Sequence, residues 1–331
     1  MWWLPHNFET KKPYLEARMR LISGIRAHFD AQGFLEVQTP ILQTMPGADV
    51  HIHAYKLGNG PKDACYLHNS PEFAMKKLLV AGLPKIYQIC PVFRREERTK
   101  LHNPEFTMIE WYRAQADYTD IMQDCENLLH ALNIKEFRHN GQTCDPYASW
   151  QRITVCEAFK QYANIDLLPL LGERDGVRGF GAAAKAIGVR TLETDNWDDI
   201  FHAVMAEKIE PYLGRSVPTI LHDYPASMAA LSRKKPEDPR FAERFELYVC
   251  GVELANAFSE LTDATEQRTR FTTDMAEKER LYGESYPLDE DFLAALEHGL
   301  PESAGIALGI DRLIMLATGA KTIEQVLWVQ G

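Results

Sequence analysis

Ile86-Tyr87-Gln88-Ile89-Cys90-Pro91-Val92-Phe93 and Glu105-Phe106-Thr107-Met108-Ile109-Glu110-Trp111-Tyr112 decide the reading of the fold. Both runs are apolar and rich in β-formers, and the stretch between them is short and polar, which predicts an antiparallel hairpin. The intervening loop begins with a dense charge cluster, Arg94-Arg95-Glu96-Glu97-Arg98-Thr99-Lys100. An arginine fork suits phosphate oxygens, and Phe106 on the return strand offers its face to a purine ring. A solvated, charged hairpin tip is the other reading of the same residues.

Working outward, Lys12 to Gln32 reads as an amphipathic helix, with Leu15, Met19, Ile22, Ile25 and Phe29 at steps of three and four and Gly33 as its stop. Phe34-Leu35-Glu36-Val37-Gln38-Thr39-Pro40 alternates like a strand ended by proline. Helices are expected over Pro71 to Ala81 and Asp117 to Leu132. Residues 150–215 read as mostly helical, with a loop-like break at Gly172-Glu173-Arg174-Asp175-Gly176. Phe245 to Gly251 and Glu253 to Glu260 read as adjacent strands. Ala304 to Gly309 is a strand of small residues, followed by a helix with Asp311 as N-cap and Gly319 as stop. Helices flank strands without regular alternation. The expected class is therefore α+β, a mixed, mainly antiparallel sheet, in a chain long enough for one large domain or two ordinary ones.

Composition excludes several functions. The chain has 331 residues, 45% of them hydrophobic, and its 36 basic against 47 acidic side chains leave a net charge of −11. A broad nucleic-acid binder carries a basic footprint, which this balance does not supply. The six cysteines form no C-x-x-C pair, so neither a zinc site nor a disulfide framework is expected. The N-terminus does not read as a signal peptide, and no apolar run reaches membrane-spanning length. A cytoplasmic protein with no membrane partner is expected.

Two further motifs are discounted. Gly179-Phe180-Gly181-Ala182-Ala183-Ala184 fits a loose dinucleotide fingerprint but follows no convincing strand. His51 and His53 are an isolated pair. Glu246, Glu253 and Glu260 stand seven apart, among Leu254, Ala255, Ala257, Phe258 and Leu261. Acids in so apolar a neighbourhood need partners, and carboxylates beside phosphates imply Mg²⁺. Gly305-Ile306-Ala307-Leu308-Gly309-Ile310-Asp311-Arg312 puts an arginine at a helix start behind small residues, which favours an anion.

Taken in order, Gly33 to Pro40, Phe93 to Glu110 and Gly305 to Arg312 resemble the three signature motifs of class II aminoacyl-tRNA synthetases. Ser70-Pro71-Glu72, His102-Asn103-Pro104-Glu105-Phe106-Thr107 and Glu253-Leu254-Ala255-Asn256-Ala257-Phe258-Ser259-Glu260-Leu261 resemble blocks of the lysine-specific subgroup. The resemblance implies that Arg94 holds the α-phosphate of ATP. It gives Glu96, His102 and Asn103 to the nucleotide, Phe106 to the purine face and Arg312 to the γ-phosphate. Glu246 and Glu253 would hold Mg²⁺. Glu72, Glu110, Tyr112, Asn256, Glu260 and Ala307 would form the amino-acid pocket, and a homodimer would form through the first motif.

Departures from the subgroup bear on function. The resemblance implies one catalytic domain over 1–331: the first motif begins at Gly33, leaving no room for the N-terminal OB-fold anticodon-binding domain of lysyl-tRNA synthetases, so stable tRNA binding is not expected. Ala307 stands where those enzymes carry glycine, Ala255 and Ala257 stand in a usually glycine-bearing block, and Leu101 replaces an arginine. One added methyl reshapes a pocket floor. This pattern resembles the elongation factor P–(R)-β-lysine ligase family. It implies ATP-dependent activation of (R)-β-lysine, or lysine, and transfer to a lysine of elongation factor P. The alternatives are a stand-alone enzyme charging a small molecule or tRNA, and a silent synthetase-like regulator.

Overall fold

The computed structural model describes residues 3–58, 65–171, 174–229 and 231–329. In chain order the elements are α1 (Pro5–Ala31), β1 (Leu35–Glu36), β2 (Leu42–Gln43), β3 (Lys56–Leu57), β4 (Cys65–Leu67), α2 (Glu72–Val80), β5 (Lys85–Phe93) and β6 (Glu105–Ala114). There follow α3 (Tyr118–Ala131), β7 (Phe137–His139), β8 (Gln142–Cys144), β9 (Gln151–Thr154), α4 (Val155–Ala163), α5 (Arg174–Ala186), α6 (Trp197–Val204) and β10 (Thr219–Pro225). The chain continues with β11 (Phe241–Val249), β12 (Val252–Ser259), α7 (Ala264–Tyr282), α8 (Glu290–Gly299), β13 (Ser303–Gly309) and α9 (Ile310–Thr318).

Eight strands make one sheet in the order β1-β5-β6-β13-β12-β11-β10-β9. Every neighbouring pair is antiparallel except the two outermost, β1 on β5 and β9 on β10. The expected α+β class and mainly antiparallel sheet are therefore present. The hairpin pairs Phe93 with Glu105 and Lys85 with Arg113. One face of the central strands carries Ile109, Trp111, Leu247, Ala257 and Leu308 into a core shared with α1, α3 and α9. Fully burying each such side chain contributes about 1.5–3 kcal/mol. A second core joins α2, α7 and α8 through Phe73, Phe271 and Phe292.

Several boundaries differ from the sequence reading. Proline is at home in a helix's first turn, but Pro5 fills that place, and Pro13 sits inside α1. The buried stripe of α1 is Leu15, Arg18, Leu21, Ile25 and Phe29, while Met19 is exposed. Arg18 takes the inner position because it has buried partners there. Its guanidinium pairs with Asp311 and donates to Thr107 Oγ1 at 2.6 Å. Asp311 is accordingly not the N-cap. Gly309 holds that place, and the Asp311 carboxylate turns inward, where it also accepts from Thr107 N at 2.8 Å. Only Leu35 and Glu36 of the expected strand pair with β5, with one more bond from Val37 N to Tyr87 O.

Of the break expected at residues 172–176, Gly172 and Glu173 lie outside the described residues, and the next three open α5. Gly179 to Ala184 lies within that helix, with no strand and turn to cradle a phosphate. His51 Nδ1 meets Tyr282 Oη at 2.8 Å and His53 Nδ1 meets Glu284 at 2.9 Å. No described helix is long and apolar enough to cross a membrane.

Candidate active site

The sheet register builds the site. Glu110, Ala307, Asn256 and Glu246 are direct neighbours across β6, β13, β12 and β11. Two residues along, on the same face, Tyr112, Gly305, Phe258 and Arg244 form a second row. A Cβ on Gly305 would lie 2.2 Å from the Tyr112 ring and 2.8 Å from Glu260 Oε1, so this position needs glycine. Above the rows lies a cavity of about 370 Å³. It is lined by Glu72, Arg94, His102, Asn103, Phe106, Glu110, Tyr112, Glu246, Glu253, Asn256, Ala307 and Arg312, among others.

At the hairpin end, Arg94 follows β5 and its guanidinium lies 5.2 Å from the centroid of the Phe106 ring. Its Nε is buried without a hydrogen-bond partner, and the Glu97 carboxylate stands 3.9 Å from its Nη1. A buried donor left free is costly, and a phosphate oxygen suits it. Asn103 Nδ2 donates to Glu105 O at 2.6 Å. His102 Nε2 lies 2.5 Å from Arg312 Nη2, and its Nδ1 2.8 Å from Thr99 Oγ1. Burial and the Arg312 charge push the His102 pKa down, keeping the ring neutral as an acceptor. Arg312 also donates to Glu253 O at 2.8 Å, tying α9 to β12. Glu96 is brought to no wall of this cavity. Its backbone is left-handed (φ 70°), its side chain is exposed beside Arg95, and Glu97 lines the cavity instead.

At the other end, Ser70 Oγ donates to Glu110 Oε1 at 2.5 Å and Tyr112 Oη to Oε2 at 2.7 Å. Burial, with the nearby Glu72 charge, pushes the Glu110 pKa up to about 7. Glu260 lies behind the wall: it is fully buried and pairs with Lys76 rather than lining the cavity. Burial raises its pKa against the pull of Lys76. The acids of this end carry too little compensation for a neutral ligand and suit ammonium groups.

Glu246 accepts from Arg244 Nη2 at 2.8 Å and Tyr248 Oη at 2.6 Å. Burial and the charge of nearby Glu253 raise its pKa. Glu210, half-buried nearby, is pushed up to about 7 by desolvation and by the charges of Glu246 and Glu253. Mutual repulsion of hard oxygen donors is what a divalent cation relieves. Among the described residues no three His, Cys, Asp or Glu side chains form a closed metal cage. Two carboxylates completed by phosphates are how Mg²⁺ is ordinarily held, and Glu246 with Glu253 fit that ion.

Sequence reasoning missed Lys76, Glu97, Glu210 and Arg244. Only two of these had a usable signal: Lys76 follows Glu72 by one helical turn and Arg244 precedes Glu246 by two strand positions.

Residues 3–328 match the family described as tRNA synthetases class II (D, K and N). The elongation factor P–(R)-beta-lysine ligase of Edwardsiella ictaluri (strain 93-146) is 40% identical over 315 residues, covering 94% of this chain and 92% of that protein. The ligase of the same name from Proteus mirabilis (strain HI4320) matches equally. The lysine–tRNA ligase of Pelotomaculum thermopropionicum is 37% identical over 97% of this chain, which spans 63% of that protein's length.

Proposed function

The chain belongs to the class II tRNA synthetases (D, K and N), and from that premise we propose that it is an ATP-dependent ligase that activates (R)-β-lysine, or lysine, and transfers it to a lysine of elongation factor P. The observation that carries this reading is one cavity with an arginine and an aromatic ring at one end and paired carboxylates at the other. Identity over nearly the full length of two ligases of that name supports it further.

In the first step the substrate carboxylate attacks the α-phosphorus of ATP and pyrophosphate leaves. Arg94 neutralises charge on the α-phosphoryl oxygens, Phe106 backs the purine, and Asn103 and His102 border the nucleotide. Arg312 is the cation for the γ-phosphate. Mg²⁺ held by Glu246 and Glu253 would supply further charge neutralisation on the phosphates. Glu72 and Glu110, with Tyr112 and Asn256, hold the ammonium groups, and the Ala307 methyl limits the pocket floor. In the second step the deprotonated ε-amine of the acceptor lysine attacks the acyl carbonyl. An amide forms, AMP leaves, and the amine's remaining excess proton departs to solvent. The reading further takes the enzyme as a cytoplasmic homodimer with no stable tRNA binding. Exposed Leu35, Ile41, Leu42 and Leu57 around β1 to β3 support an apolar contact there.

The direct test incubates elongation factor P with enzyme, ATP and (R)-β-lysine and weighs the factor by mass spectrometry. A mass increase of one acyl residue is expected; an unmodified factor beside a charged tRNA would sink the proposal. A pH prediction follows from Glu110. Below about 7 its carboxyl is neutral and above it anionic, so the amino-acid KM should fall as pH rises through that value while the ATP KM stays flat. Glu110→Gln should remove the trend, and a wild-type KM that rises with pH contradicts the assignment.

A further inference from the structure

Lys76 has 1% of its surface exposed, and the reaction derived above gives it no part. It stands one turn after Glu72 on α2, so both side chains leave the same face of the helix. Its Nζ donates to Glu72 Oε1 at 2.5 Å and pairs with Glu260 Oε2. The rings of Phe258 and Phe292 close around it, with centroids 5.3 and 6.0 Å away. Burial alone would lower its pKa, but Glu260 and Glu72 outweigh burial and hold it charged. Lys76 does not reach the cavity, whereas Glu72 does. Glu260 Oε1 is buried without a hydrogen-bond partner and lies beside the Cα of Gly305, which lines the cavity with Tyr112.

The ammonium is thus fixed from behind by Glu260 and takes one oxygen of Glu72, leaving the other for an occupant of the cavity. We propose that Lys76 is a positioning residue for amino-acid recognition: anchored from behind by Glu260, it holds Glu72 so that the remaining Glu72 oxygen meets an ammonium group of the substrate. It also sets the charge of the pocket. With Glu260 offset by the internal ammonium, Glu72 and Glu110 are the acids of this trio at the cavity wall, one for each ammonium group of a diamino acid. An ammonium wedged between two aromatic rings cannot swing aside, so this geometry is fixed before the substrate arrives. The inference rests on the reading that a diamino acid binds here.

The test is ATP–pyrophosphate exchange with (R)-β-lysine and with lysine, comparing wild type, Lys76→Met and Lys76→Gln, each with its thermal melt. Lys76→Gln keeps N–H donors without the charge and guards against a misfolded Lys76→Met. The expected result is an amino-acid KM raised about tenfold or more in both variants, the loss of one charge-assisted contact, with the ATP KM within about twofold. An unchanged amino-acid KM in a variant that melts like wild type would overturn the role of Lys76 alone. So would both KM values rising in the same proportion, which marks a general structural defect. No exchange by the wild type with either amino acid would overturn the proposed activity, and the role of Lys76 with it.

Discussion

Arg94→Ala is expected to slow ATP–pyrophosphate exchange by about a thousandfold while leaving the melting temperature near that of wild type. The rate effect is of the size seen when a positioned donor to transition-state charge is removed. The stability effect should be small because the guanidinium makes few demands on the fold. Its closest acidic neighbour, Glu97, is 3.9 Å away, and its Nε bonds to nothing. What it does contribute is its stance against Phe106 and a backbone N–H that bonds Pro104 O at 2.9 Å, which alanine preserves. Arg94→Lys should recover little, because a point charge cannot reproduce a planar fork. Exchange within tenfold of wild type in Arg94→Ala would mean that the phosphates lie elsewhere.

Arg18→Met is expected to have the largest effect on stability, a loss of about 3 kcal/mol in denaturant unfolding. Arg18 and Asp311 are both almost wholly buried, and removing one partner leaves the other's charge without compensation. The substitution should also lower activity, since Asp311 connects α1, Thr107 of the hairpin and the first turn of α9, where Arg312 stands. Replacing both members, Arg18→Met with Asp311→Asn, should return part of the lost stability. A cost below about 1 kcal/mol for the single change would mean that the pair is far better solvated than its burial implies.

The hairpin, the small-residue strand and their order were legible because strand periodicity and turn composition are local properties. So was the acid-rich character of the pocket, since carboxylates among apolar residues must find partners. What escaped depended on partners remote in sequence or on single backbone angles. The stripe on α1 looked wholly apolar, because the residue that buries Arg18 lies 293 positions away. Between adjacent Glu96 and Glu97, the choice of which faces the cavity turns on one left-handed backbone conformation that glutamate's side chain does not announce. Lys76 drew no attention in the sequence, since nothing nearby reveals that Glu260 stands against it. The strand expected over Phe245 to Gly251 instead reverses at left-handed Cys250 and Gly251, a pair without the usual turn signature, and the register then sets Glu246 against Asn256 and Glu253 against Tyr248.

The row Glu110–Ala307–Asn256–Glu246 acts as a ruler with fixed marks. Its divisions are set by backbone ladders, about 4.8 Å per strand, and no strand can slide by half a division. A slip of a single residue would turn every one of these side chains to the opposite face. An amino acid whose reactive end is displaced by one carbon therefore cannot be met by moving a strand. It can be met only by changing how far one side chain projects from its mark, and Ala307, the smallest side chain on the row, is where a single methyl makes the greatest proportional difference.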